Sequence, residues 1–253
     1  MPMRFLITGG AGFIGSHLAD YLLAANHSVS VLDSFVSSGP GNLPSGAPVI
    51  KQDVCSQLEP SLFQDFDAVF HLAADPNVKD SALRAKESFV VNVSGTFNVL
   101  EACRKADVPK FVFTSSSVVY GEAKMQPTPE DAPTVPVSNY AASKLAGEAY
   151  CASFAHTYGM KCTVLRLANI IGERSTHGVM FDFYNKLRKN PYQLEILGDG
   201  KQNKSYLHVS DCVSGIVAAS EKQSGIFDVY NVGSEEKRTV DEIARTLCSE
   251  LNL

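Results

Sequence analysis

The segment Arg4–Gly15, RFLITGGAGFIG, constrains the fold of this chain more than any other. An apolar run at Arg4–Thr8 reads as a buried strand, and Phe13–Ala24 has the apolar spacing of a helix. Between them the loop is mostly glycine. Glycines 10, 12 and 15 satisfy G-x-G-x-x-G, and glycines 9, 12 and 15 satisfy G-x-x-G-x-x-G. In such a loop the first glycine permits the tight turn. Gly12 lets a diphosphate approach the backbone, and Gly15 lets helix and strand pack closely. The phosphates then sit on the first helical amides, at Phe13 and Ile14, where unpaired N–H groups and the helix dipole favour negative charge. A glycine turn alone is weak evidence; a strand before it and a helix after it make a dinucleotide cleft the stronger reading.

The next strand ends strengthen it. Asp33 closes a second apolar run, Val29–Asp33, 18 residues past Gly15. A carboxylate there accepts from both ribose hydroxyls and repels a 2′-phosphate, which favours NAD over NADP. Asp53 and Val54 follow a third run, Val49–Asp53, where a carboxylate can accept from the adenine amino group. Leu72, Ala73 and Ala74 lie at the end of a fourth, Ala68–Ala73, and their small size leaves room for the cofactor. His71 beside them reads as a packed strand residue and not a ligand.

Further runs at Lys110–Ser115 and Cys162–Leu167 alternate with helical patterns at Ser81–Ala106 and Asn139–Tyr158. Near-continuous Val, Ile, Leu and Phe in the strands fits a sheet covered on both faces. The expected fold is α/β, a doubly wound parallel (Rossmann-type) sheet over residues 1–167. A smaller substrate-binding region, 168–253, is expected to interleave with the main sheet. It carries helices at Val179–Lys189 and Val209–Ser220 and strands at Leu194–Leu197 and Asp228–Val232. A last helix starts near Thr239, where Thr-Val-Asp-Glu resembles a capping box. Net charge is −5 with no basic tract, against a nucleic-acid partner. No run of about 18 apolar residues suits a membrane span, and the N-terminus lacks signal-peptide features. Six scattered cysteines, at 55, 103, 151, 162, 212 and 248, form neither C-x-x-C pairs nor zinc-spaced clusters. A reduced, cytoplasmic protein without a bound metal is expected.

The chemistry is carried by Tyr140-Ala-Ala-Ser-Lys144, whose i, i+4 spacing sets phenol and ammonium on one helix face. Free tyrosine, with a pKa near about 10, is a poor base at neutral pH. A nearby lysine cation and a positive nicotinamide ring favour the phenolate, which can then take a proton from a substrate hydroxyl. The strand Lys110–Ser115 runs into Ser115-Ser116-Ser117, and a serine at that end can donate to the same oxygen; spacing leaves open which one.

TGGAGFIG, Asp33, HLAA, VNVSGTFNVLEAC, TSSSVVYG, YAASK and LRLANIIG, in this order, resemble the extended short-chain dehydrogenase/reductases over essentially the whole chain. Within them the likeness is to nucleotide-sugar epimerases of the UDP-glucose 4-epimerase type. The resemblance implies that Ser116 is the catalytic serine, Tyr140 the base, and Lys144 its partner and a ligand of the nicotinamide ribose. It implies that Asn92 stands on the cofactor-side helix and that Asn169 touches the substrate diphosphate. GDGKQNKSYLHVSD, 198–211, is similar to the family's G-D-G-x-Q-x-R-D-Y-x-H-V-x-D, with Lys204 in place of Arg and Ser205 in place of Asp. Lysine still neutralises a phosphate, but without the bidentate fork. Members continue past the last helix with residues that complete the nucleotide pocket. The sequence ending at Leu253 is either a cut chain or a natively short one, and a cut chain is expected to bind NAD and to hold a sugar nucleotide poorly.

The reaction implied is NAD-dependent epimerisation of a UDP-sugar, UDP-glucose/UDP-galactose at C4, through a 4-keto intermediate. Related 4,6-dehydratases and decarboxylases, the first alternative, carry an acid just after the strand-end Ser/Thr; here that residue is Ser117, which favours the epimerase. A reductase remains an alternative, as does a non-catalytic NAD-sensing regulator, although such regulators tend to lose the Tyr/Lys pair that this chain keeps. Helices Ser81–Ala106 and Asn139–Tyr158 are apolar on more than one side, and in relatives such a pair builds the four-helix bundle of a homodimer.

Overall fold

The computed structural model describes residues 2–77 and 80–253. The elements run β1 (Arg4–Thr8), α1 (Phe13–Ala24), β2 (Ser28–Asp33), β3 (Val49–Lys51), β4 (Ala68–His71), α2 (Ala85–Phe89), α3 (Gly95–Lys105) and β5 (Lys110–Ser116). Then come α4 (Asn139–Tyr158), β6 (Lys161–Leu167), β7 (Asn169–Ile171), α5 (Val179–Lys189), β8 (Asn203–His208), α6 (Val209–Lys222), β9 (Phe227–Val232), β10 (Lys237–Thr239) and α7 (Val240–Glu250). Among the described residues the main sheet has seven parallel strands in the order β3-β2-β1-β4-β5-β6-β9. The order reverses between β1 and β4, where Thr8 stands opposite His71. A crevice outside the carboxyl ends of the strands at such a reversal is where this architecture binds ligands.

Period-two alternation distributes the strand residues to the two faces. Leu6, Val69, Phe111 and Phe113 pack toward α3 and α4 with Val99, Leu100 and Phe154. Phe5, Ile7, Phe70 and Val112 pack toward α1 and α6 with Leu18, Leu22 and Ile216. Each such side chain, fully buried, contributes about 1.5–3 kcal/mol. β9 returns to pair with β6, from Cys162↔Phe227 to Leu167↔Val232. β7, β8 and β10 make a small second sheet, with β8 parallel to β7 and antiparallel to β10.

The ends of α4 follow from its sequence. Ser138 Oγ accepts from Ala141 N at 3.1 Å, and Gly159 closes the helix at φ 75°. At α7 the capping box is complete: Thr239 Oγ1 accepts from Glu242 N (3.1 Å), and Glu242 Oε2 accepts from Thr239 N (2.7 Å).

Two expectations are corrected. Leu194–Leu197 forms no strand. The side chains of Leu194 and Ile196 instead cover Phe183 and Ile243, and Gly198 and Gly200 then turn the chain at positive φ. The expected helix Ser81–Ala106 begins later, at α2 after a separate 3-10 turn, and runs on through a π-turn at Val90–Ser94 into α3. The π-turn centres on Asn92, whose buried side chain reaches out of the helix; π-turns of this kind recur at functional sites. Smaller shifts occur at strand ends, with β3 stopping at Lys51, β4 at His71, and β5 reaching Ser116.

Candidate active site

The glycine loop fills the reversal point between β1 and β4. Gly9 adopts φ +72°, and a Cβ on it would lie 2.6 Å from the Ala73 nitrogen. A Cβ on Gly15 would run into the Gly9 carbonyl oxygen, and one on Gly10 would lie 2.7 Å from the Val31 side chain. Gly12 differs: its Cβ would meet only the Gly9 oxygen, at 3.1 Å. The open cradle is therefore at Gly12, and the other three are glycines for internal packing. The first intrahelical bond of α1 runs from Ser16 N to Gly12 O at 3.0 Å, leaving the Phe13 and Ile14 amides outside the helical ladder. No side chain caps this end and no acid stands in its first turn. A diphosphate fits it by charge and by space.

Asp33 ends β2 beside this loop, 7% exposed. Its Oδ2 accepts from Ala11 N (3.0 Å) and its Oδ1 from Phe35 N (2.9 Å), so it braces the glycine turn and keeps lone pairs for hydroxyl donors. Leu72, Ala73 and Ala74 follow β4, half-buried, with Ala73 pressed on Gly9. These residues fit a dinucleotide carrying an unphosphorylated ribose. Asp53 stands one strand further out, exposed, with Oδ1 accepting from Cys55 N at 2.8 Å, and Val54 is buried against Gly95. Asn92 has its amide spent internally: Oδ1 accepts from Asp75 N (2.7 Å), and Nδ2 donates to Asp75 O (3.1 Å) and Ser143 Oγ (3.0 Å). It ties the loop after β4 to α4.

His71 is neutral and packed, as the sequence suggests. Its ring lies between Thr8 Oγ1 (2.6 Å) and Thr96 Oγ1 (3.0 Å), and burial, with Lys144 adding to it, pushes its pKa down to about 3.

The second half of the cleft lies between β5 and α4. Lys144 is 3% exposed, and its Nζ donates to the Thr114 carbonyl at 3.0 Å. The ammonium lies 5.1 Å from the Phe113 ring and 5.9 Å from the Tyr140 ring. Burial lowers its pKa to about 8. Tyr140, in the first turn of α4, is pushed up to about 12, mainly by burial. A bond from the Ser116 hydroxyl pulls its pKa down, and the Asp75 carboxylate pushes it up. The spacing predicts that the lysine favours the phenolate; in the structure desolvation sets the direction, and Ser116 rather than Lys144 supplies the opposing pull.

Of the three serines left open by spacing, Ser116 is the one that reaches Tyr140. Ser115 donates to Glu148 Oε1 instead, and Ser117 begins the 3-10 turn that Ser116 caps. Sequence reasoning missed Asp75, Glu148 and Arg166. Their partners lie 17 or more residues away, beyond any local spacing.

Asn169 and Lys204 both lie on the small sheet and are exposed. Asn169 Nδ2 donates to Ser205 O at 2.9 Å. Ser205 Oγ donates to Ser234 O (2.6 Å) and accepts from Ser234 N (3.0 Å), so the position where the family usually has Asp serves here as a loop tie. Lys204 pairs across strands with Arg238, which puts two cations on one face, a second feature the sequence did not suggest. Among the described residues, no His/Cys/Asp/Glu group could hold a metal ion, and no helix is long and apolar enough to cross a membrane.

Residues 5–233 match the model of the NAD dependent epimerase/dehydratase family. A UDP-glucose 4-epimerase of Mycolicibacterium smegmatis is 37% identical over 95% of this chain and 80% of its own length. A UDP-N-acetyl-alpha-D-glucosaminuronate decarboxylase of Bacillus cytotoxicus is 34% identical over 98% and 80%. The crystal structure of a Thermus thermophilus UDP-glucose 4-epimerase in complex with NAD superposes with a TM-score of 0.90, at 34% identity, over 99% of this chain and 84% of that one. The glycine cradle, the strand-end Asp33 and these likenesses agree: the chain is an NAD-using enzyme that belongs to the NAD-dependent epimerase/dehydratase family.

Proposed function

We propose that this enzyme inverts C4 of a UDP-hexose, interconverting UDP-glucose and UDP-galactose. The observation that carries the reading is the Tyr140–Lys144 face of α4, half-buried at the tyrosine and buried at the lysine, set against Ser116, with Ser117 rather than a carboxylate following it. The glycine cradle at Gly9, Gly12, Phe13 and Ile14 holds the cofactor diphosphate. Asp33 takes its adenosine ribose, Asp53 and Val54 flank its adenine, and Leu72, Ala73, Ala74 and Asn92 form the wall beyond. When bound, NAD accepts a hydride from sugar C4 and returns it to the opposite face.

In the first half-reaction Tyr140 Oη, as phenolate, takes the proton of the sugar 4-hydroxyl. Ser116 donates to the same oxygen and steadies it as it becomes a ketone. Lys144 keeps a positive charge near the phenolate, anchored on the Thr114 carbonyl, and its remaining protons would be free to hold the nicotinamide ribose. The 4-keto sugar turns over, and Tyr140 gives the proton back. Asn169 and Lys204 reach the substrate diphosphate.

Relatives named as UDP-glucose 4-epimerases support this substrate class, and the decarboxylase among them shares the scaffold. Incubating the NAD-loaded protein with UDP-galactose tests it. Formation of UDP-glucose supports the reading. Loss of water or carbon dioxide from another nucleotide sugar, with UDP-galactose untouched, overturns it.

The same proposal includes a homodimer. Phe89, Phe97 and Tyr150 are 57%, 40% and 39% exposed and lie together on one surface formed by α2, α3 and α4, an apolar cluster of the kind that marks an interface. Six free thiols favour a reducing, cytoplasmic setting.

A further inference from the structure

One turn beyond Lys144, α4 carries Glu148, a carboxylate 5% exposed that the chemistry above does not use. Burying a carboxylate is costly unless its charge is met and its lone pairs are filled. Here both conditions hold. Arg166 of β6, also buried, donates from Nη2 to Glu148 Oε2 at 2.7 Å and from Nε to Oε1 at 3.1 Å. Ser115 Oγ donates to Oε1. The last nitrogen of Arg166, Nη1, donates to Tyr120 Oη (2.7 Å) and to the Glu130 carbonyl (2.8 Å). Tyr120 in turn donates to Asn231 Oδ1 on β9 at 2.8 Å.

The positions of these partners matter. Ser115 directly precedes Ser116. Tyr120 ends the 3-10 turn that Ser116 caps, and Glu130 lies in the loop that leads into α4. The pair thus touches every segment that carries Ser116, Tyr140 or Lys144. Apolar packing alone fixes the helix poorly here. Phe154 is the one large apolar side chain on the buried face of α4; nearer Tyr140 and Lys144 that face is built from small residues, Ala141, Gly147 and Cys151, with Gly147 against the Phe113 ring. Such a stretch offers low ridges to hold a register, whereas directional, charge-assisted bonds set one.

We infer that Glu148 and Arg166 act as a positioning pair that fixes α4 against β5 and thereby aligns Tyr140 and Lys144 with Ser116. What the alignment serves rests on the epimerase reading; the alignment itself does not. The test uses Glu148→Gln, which keeps size and removes charge, and Ser115→Ala, which cuts one tie and leaves the ion pair. In the NAD-loaded enzyme, kcat is expected to fall about 10- to 100-fold for Glu148→Gln and about 3- to 10-fold for Ser115→Ala. KM should stay within about threefold and bound NAD should be retained, because a displacement near 1 Å costs up to about 100-fold in rate. Crystal structures of both variants should show Lys144 Nζ displaced from Thr114 O. A lower Tm with unchanged kcat per NAD-loaded molecule, and Lys144 still on Thr114, overturns the inference. If Glu148→Gln does not fold, Ser115→Ala decides by the same two readouts. If the parent enzyme turns over no nucleotide sugar, the functional reading fails, and the two crystal structures alone decide the positioning role.

Discussion

Lys144 donates to the Thr114 carbonyl across the helix–sheet boundary at 3.0 Å, so the cation of the site is held by the strand that ends in Ser116. That bond keeps a buried ammonium in place at a cost to the fold. Its pKa is lowered from 10.5 to about 8 by burial, so between those values the unfolded chain binds the proton and the folded chain does not. The cost is fully present below pH 8 and disappears above pH 10.5. Lys144→Met should therefore raise the stability of the NAD-free protein at pH 7, by up to about 3 kcal/mol, while lowering kcat at least about 100-fold. Thermal unfolding and initial rates check the pair of outcomes. A lower Tm would show that the Thr114 bond outweighs desolvation.

In the proposed reaction Tyr140 must lose its proton, and its pKa is pushed up to about 12, with Asp75 contributing. Below about pH 8, where Lys144 keeps its charge, the rate should rise with pH as the phenolate fraction grows. Asp75→Asn removes a negative charge that opposes ionisation, so the rising limb moves to lower pH. An unshifted limb in the kcat–pH profile would exclude Asp75 as an influence on the base. Tyr140→Phe should lower kcat about 10²- to 10⁴-fold with NAD still bound.

The glycines of the loop differ in what a side chain would disturb. A Cβ on Gly12 would meet one atom alone, the Gly9 oxygen at 3.1 Å, so Gly12→Val should destabilise the fold less than the same change at Gly15 and lose NAD. Gly15 has the Gly9 carbonyl where its Cβ would go, so Gly15→Val should destabilise the chain itself by about 1–3 kcal/mol. Cofactor absorbance and thermal melts distinguish the two. Equal loss of stability in both variants would mean that Gly12 also serves packing.

Phe97 lies edge-on to Tyr150 at 5.3 Å on the exposed face of α3 and α4. Phe97→Asp should convert a dimer to a monomer in sedimentation. A parent chain that sediments as a monomer rules the dimer out.

Much of this was legible in the sequence where local chemistry decides. Arg4–Thr8, Phe13–Ala24, Asn139–Tyr158 and Val179–Lys189 begin and end as read. Gly12, Ser138 and Gly159 punctuate two of them. Asp33 and the Tyr140–Lys144 spacing were legible for the same reason. The small sheet was not. β8, NKSYLH, is polar and short, and its pairing with Lys237–Thr239 depends on residues some 30 positions away. The π-turn at Asn92 was hidden because the apolar period continues through it, and the bond to Asp75 that draws the side chain out is tertiary. Glu148 and Arg166 looked like ordinary surface and strand charges for the same reason.

At the centre stands one claim, that the bound NAD cycles within a sugar epimerisation. Its most direct test is the near-ultraviolet absorbance of reduced cofactor in the NAD-loaded protein as UDP-galactose is added, with products followed in parallel. Transient reduction, no net consumption of NAD, and accumulation of UDP-glucose are the predicted results. Bound NAD that no UDP-, dTDP- or GDP-sugar reduces would contradict the claim.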